Sequence, residues 1–204
     1  TGMAFSSNPM NPKWFEPASK FVDSSFPSVV AKLGQLVKIP GIAWPSFDQG
    51  NLELSAEKVA DEFRQLGFFD FVEIRRAAKP SGDPGAPAVV ARKAGHPNAP
   101  HVLLYAHHDV QPPGERSLWD TEPFEATLKG DRLYGRGASD DKSGIITHLT
   151  SLRAFIALAN EVRIGVTVFI EGEEEAGSES FPEFLRENHA DLAADLIVVA
   201  DSSN

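Results

Sequence analysis

From Ser28 the apolar residues Val29, Leu33, Leu36 and Val37 recur at helical spacing, and Pro40 stops the run. A second helix is predicted from near Ser55, with Val59, Phe63 and Leu66 on one face and Gly67 as its C-terminal stop. The period then shortens. Residues 71–75 and 88–93 read as strands, split by the turn-forming stretch Lys-Pro-Ser-Gly-Asp-Pro-Gly-Ala-Pro at 79–87. Residues 101–106 are almost wholly apolar, as in a strand buried on both faces. A short strand is expected near 132–134. A long helix follows from Ser143, placing Ile145, Leu149, Leu152 and Ile156 on one face. Buried strands are expected at 166–170 and 196–200, with a short helix at 180–188 that tolerates Pro182 in its first turn. Residues 1–25 carry Pro9, Pro12 and Pro17 and are predicted to be an irregular lead-in. Its first three residues, Thr1-Gly2-Met3, read as a tag remnant ahead of a native start at Met3.

Strands and helices alternate, and the central strands are rich in Leu, Ile and Val. This pattern predicts an α/β fold: a three-layer sandwich around a mixed, mostly parallel sheet. The length of 204 residues suits one domain with a sizeable core. In such sheets ligands bind outside the carboxyl ends of the strands. Four segments with acid or histidine side chains fall at such ends: 105–112, 136–142, 171–178 and 198–201.

Composition narrows the chemistry. The formal charge of -10 disfavours nucleic acid and anionic membrane as partners. No apolar run approaches the roughly 18–20 residues of a membrane span. With no cysteine, a metal would have to be held by histidine and carboxylate. Lack of cysteine also fits a cytoplasmic location.

Each segment has a chemical and a plain reading. His107 and Asp109 alternate in an extended run, so both point to one side, as a metal-bound imidazole and its orienting carboxylate require. They could equally be surface residues near a turn. His108 points the other way. Asp140 and Asp141 are adjacent acids that repel unless a cation stands between them. One could bridge two metals, or the pair could cap the following helix. Glu173, Glu174 and Glu175 leave a core strand between Gly172 and Gly177. Such a run can divide metal binding from proton transfer, or can simply be solvated. Asp201 is a ligand or a strand-end turn residue. Their joint occurrence at strand exits favours the site.

At these residues the chain resembles the dinuclear-zinc dipeptidase and deacylase superfamily, most of all its carnosinase-like dipeptidases. The resemblance is carried by His-His-Asp-Val-Gln-Pro at 107–112, the stretch Trp-Asp-Thr-Glu-Pro-Phe-Glu-Ala-Thr from Trp119, Leu-Tyr-Gly-Arg-Gly-Ala-Ser-Asp-Asp-Lys at 133–142, and Glu-Gly-Glu-Glu-Glu-Ala-Gly-Ser from Glu171. It departs at Ala106 and Ser143, where the family has glycine. The resemblance implies two divalent ions, zinc first and manganese or cobalt as alternatives. It implies His107 and Asp201 as ligands of the first metal, Asp140 as the bridge with a cis peptide to Asp141, and Glu175 on the second metal. Asp109 would orient His107, and Glu174 would be the general base.

The implied reaction is hydrolysis of the amide bond of a dipeptide or short peptide by a metal-activated water. A deacylase acting on N-acyl amino acids is the alternative with the same site. The resemblance also makes residues 26–204 the N-terminal portion of a catalytic domain. A lid, the rest of that domain, one more metal-binding histidine and a homodimer are expected beyond it. His148 and His189 fall on predicted helices and are poor replacements for that histidine. On this reading the chain alone is an inactive fragment that needs a partner chain.

Overall fold

The computed structural model describes residues 12–159 and 161–201. The main sheet has five strands: β1 (Phe71–Arg75), β2 (Ala88–Lys93), β3 (His101–His107), β6 (Gly165–Glu171) and β7 (Leu196–Val199). Their order across the sheet is β1-β2-β6-β3-β7. Strands β6, β3 and β7 are mutually parallel, and β2 runs antiparallel to both β1 and β6. Four strands therefore share one direction and β2 opposes them. The mixed sheet is as the sequence predicts. A separate hairpin, β4 (Thr127–Lys129) and β5 (Arg132–Tyr134), precedes the acid pair.

Helices α1 (Pro12–Val37), α2 (Gln49–Arg64) and α3 (Lys142–Leu158) cover one face of the sheet. Phe63, Ala56 and Val59 of α2 meet Ile145, Leu149 and Leu152 of α3 over Val89, Ala106 and Val168. Full burial of a side chain such as Phe63 contributes roughly 1.5–3 kcal/mol. The short helices α4 (Phe181–Glu187) and α5 (His189–Leu192) lie on the opposite face, where Phe184 and Leu192 pack on Val90, Leu103 and Phe169. Among the described residues no helix is long and apolar enough to cross a membrane.

Three expectations are corrected. The irregular lead-in fails for residues 12–25, because α1 begins at Pro12 and runs through Pro17 and Pro27. Near Pro27 the hydroxyls of Ser24, Ser25 and Ser28 donate to the carbonyls of Phe21, Val22 and Ser25, bonds within the helix that leave Asp23 O without its usual donor. The tag-like residues lie outside the described residues. Helix α2 starts at Gln49, six residues before the predicted start, because Asp48 caps it by accepting from Gly50 N at 2.9 Å. The short helix expected at 180–188 is found as α4, and a further short helix, α5, follows it from His189.

The third correction concerns β7, which is not buried. Leu196, Ile197, Val198 and Val199 are 57%, 60%, 40% and 54% exposed. The strand forms the sheet edge, and the described elements cover neither of its faces. Within β3, Leu103 and Ala106 are buried while Val102, Leu104 and Tyr105 are only partly so, because their β7 neighbours stand open.

Candidate metal centre

The site lies at the carboxyl ends of the three parallel strands. His107 ends β3, Glu171 ends β6, and Asp201 lies just past β7. Asp140 precedes α3, whose first turn sits behind the ends of β3 and β7. The chain leaves β6 at Gly172, where a Cβ would stand 2.1 Å from Pro87 O, so glycine is required. It then makes one 3-10 turn, Glu174–Ala176, which turns Glu174 and Glu175 toward His107.

His107 is the fully buried centre. Its Nε2 is 3.0 Å from Asp140 Oδ1 and 3.8 Å from both Glu174 Oε2 and Asp201 Oδ2. Ligand atoms of His107, Asp140 and Asp201 lie within 4.8 Å of one another, and so do those of His107, Glu174 and Glu175. The other ring nitrogen, Nδ1, is 3.1 Å from the Asp109 carbonyl and 3.3 Å from Asp109 Oδ1. The buried Asp109 carboxylate also accepts from the backbone N–H of Glu174 and of Glu175, at 3.2 and 3.0 Å. One carboxylate thus orients the imidazole and the turn that bears both glutamates. The Asp140–Asp141 peptide is cis.

The electrostatics match a cation site. Burial opposes protonation of His107, but Asp109 first, then Asp141 and Asp201, outweigh it and push its pKa up to about 10. Burial raises Glu174, His107 opposes this, and Asp201, Asp109 and Asp140 add to the rise. Burial also raises Glu175, against a hydrogen bond from Gln111. Asp141 is pushed up to about 7, chiefly by burial. Carboxylates crowd one imidazole without a lysine or arginine among them, and a divalent ion held by nitrogen and oxygen donors would relieve that repulsion. The residues present therefore fit a metal.

All the predicted ligands converge here, together with Asp109 and Glu174. His108 stays out of the cluster: it is buried, its Nε2 donates to Pro87 O, and burial lowers its pKa to about 4. Glu173 is also apart, because its carboxylate accepts from Ala86 N and Ser180 N and joins two loops. The sequence reading missed the part played by Gln111 and the contact made by Asp141. Gln111 donates to Glu175. Its place two residues beyond Asp109, on the same side of an extended run, was the available signal. Asp141 accepts from the His107 backbone N–H at 3.0 Å and makes no side-chain capping bond to α3. Nothing in the local sequence distinguishes that contact from a cap.

Residues 103–204 match the profile of peptidase family M20/M25/M40, and the chain belongs to that family. Over 148 residues it is 33% identical to the Beta-Ala-His dipeptidase of Rattus norvegicus, covering 70% of this chain and 30% of that protein. It is 26% identical over 190 residues to the Cys-Gly metallodipeptidase DUG1 of Saccharomyces cerevisiae, covering 89% of this chain and 40% of that protein. Among solved structures, the dipeptidase Dug1p of Saccharomyces cerevisiae superposes with a TM-score of 0.81 at 25% identity, and human carnosine dipeptidase 1 with 0.79 at 28%. Each of these superpositions covers 92% of this chain and 41% of the other. The chain thus spans well under half the length of the relatives it matches.

Proposed function

We propose that this chain carries most of the dinuclear centre of a hydrolase that cleaves the amide bond of dipeptides or short peptides. The observation behind this reading is the ring of Asp140, Glu174 and Asp201 around one buried imidazole nitrogen, each within 3.8 Å. His107, Asp140 and Asp201 would hold the first metal, and Asp140 and Glu175 the second, with zinc as the ion that suits the donors best. When bound, the ions lower the pKa of water and polarise a carbonyl. Glu174 stands 39% exposed, so a water can reach it. Its raised pKa makes it a stronger proton acceptor than an ordinary carboxylate. Glu174 takes the proton of the attacking water, whose oxygen bonds to the scissile carbon. As the C–N bond breaks, Glu174 passes that proton to the leaving nitrogen. Asp109 keeps the imidazole and the Glu174 backbone in register throughout.

The dipeptide class rests on the named relatives and on an aspartate at 201. We further propose that these residues work as part of a larger enzyme, whose remaining part completes the second metal's ligands. The short share of each relative's length and the open β7 edge support this. Equilibrium dialysis with zinc, followed by metal analysis, tests the centre. Zinc uptake is the expected result, and none would refute it. In the complete enzyme, Glu174→Gln should keep its metal and lose about 10²–10⁴-fold in turnover. Undiminished turnover would remove Glu174 as the base.

A further inference from the structure

The ladder between β3 and β7 breaks off at the metal site, and a side chain takes the place of the missing strand. Ala200 N donates to Tyr105 O at 3.0 Å. In a parallel ladder the next bond would run from His107 N–H back to the carbonyl of Ala200. That carbonyl instead lies against the first turn of α3, only 2.3 Å from where a Cβ on Gly144 would be. His107 N–H is buried and donates to Asp141 Oδ2 at 3.0 Å. The other oxygen, Oδ1, is packed on Gly144, also 2.3 Å from that same Cβ position. The Asp141 side chain is therefore wedged between the end of β3 and the start of α3.

The next residue anchors the wedge from behind. Lys142 is buried, and its ammonium donates to Leu36 O and Ile39 O at 2.7 and 2.9 Å, at the C-terminal end of α1. The helix that starts here is thus tied to the rest of the core independently of the site.

We propose that Asp141 is a positioning residue for the first metal. By accepting from the backbone of His107 while abutting Gly144, it sets the distance between the imidazole and Asp140 before any ion arrives. It also lets β7 part from β3, which opens the gap that Asp201 faces. Asp141 is outside both ligand clusters and acts through His107. This inference rests on the metal-site reading above. Its work is done by an acceptor oxygen and not by charge, so asparagine can replace it and alanine cannot.

The test is cobalt(II) titration of this chain, with affinity measured against a competing chelator and the visible absorption of the bound ion recorded. Wild type is expected to bind with the spectrum of a site of nitrogen and oxygen donors. Asp141→Ala should weaken binding about 10–100-fold and alter the spectrum, while Asp141→Asn stays within a few-fold of wild type. Phe63→Leu, in the core under α2, serves as the stability control: it should lower the melting temperature and leave cobalt affinity near wild type. Equal binding by Asp141→Ala and wild type overturns the proposal. So does an Asp141→Asn as weak as Asp141→Ala, or cobalt losses that follow melting temperature across all three variants. If wild type takes up no cobalt, both this inference and the metal-site reading fall. Should Asp141→Ala not fold, hydrogen exchange at the His107 amide of wild type decides. Strong protection supports the bond, and exchange at the rate of a free amide removes it.

Discussion

The histidines near the strand ends differ in what each ring nitrogen meets. His107 turns Nε2 to the acids, whereas His148 of α3 donates its Nε2 to Tyr105 O at 2.8 Å, the same carbonyl that Ala200 N reaches. Burial keeps the His148 pKa below its ordinary 6.5. As pH falls from about 6.5, the unfolded chain takes up this proton first, so the stability due to neutral His148 is whole above that pH and is lost as pH falls through the folded value. Melting temperature followed against pH in the absence of metal should therefore fall less steeply below about 6.5 in His148→Gln, which keeps an amide donor for Tyr105 O, than in wild type. Identical slopes would remove His148 from the acid response. Strand ends and the helix start pointed to His107, Asp109, the pair Asp140 and Asp141, the run Glu173 to Glu175, and Asp201, and the family resemblance then singled out Asp140, Glu174 and Glu175. The contact Asp141 makes with the His107 backbone was not legible in the sequence, because its partner is a tertiary neighbour that no local spacing reveals, and Gln111 left only its spacing from Asp109 as a sign.

Among the elements, α1 shows how a sound rule misleads. Prolines at 9, 12 and 17 argued for irregular chain, yet the helix begins at Pro12 and runs through Pro17 and Pro27. Its buried end, Leu36 and Val37, packs into the molecule and outweighs the missing donors. Pro27 is exposed, so Pro27→Ala sacrifices no packing and restores an N–H for Asp23 O. Urea unfolding should show a gain of about 1–3 kcal/mol, and a loss would mean that the proline serves the fold. Strand β7 misled in the opposite way. Its unbroken Leu-Ile-Val-Val run reads as a buried strand, and the run does pair with β3, but pattern reports what a strand is suited to lie against and not what lies against it.

At the scale of the whole molecule, three strands far apart in the chain meet at one corner. β3 lies between β6 and β7, although the chain passes through α3 and β6 before it reaches β7. The ligands are correspondingly remote: His107 and Asp140 are joined only when α3 is docked, and Asp201 arrives only when β7 has paired. Such non-local closure comes late, after most of the ordering entropy has been spent. The centre is therefore predicted to form after the rate-limiting step. Stopped-flow experiments with and without zinc should give coincident refolding rates and an unfolding rate slowed about 10-fold for each 1.4 kcal/mol of binding energy. Faster refolding with zinc would show that the corner forms early. The parting of β3 from β7 at Ala200 thus has a temporal meaning: an ion here is a lock fitted to a finished door, and it sets how long the fold lasts and not how it is found.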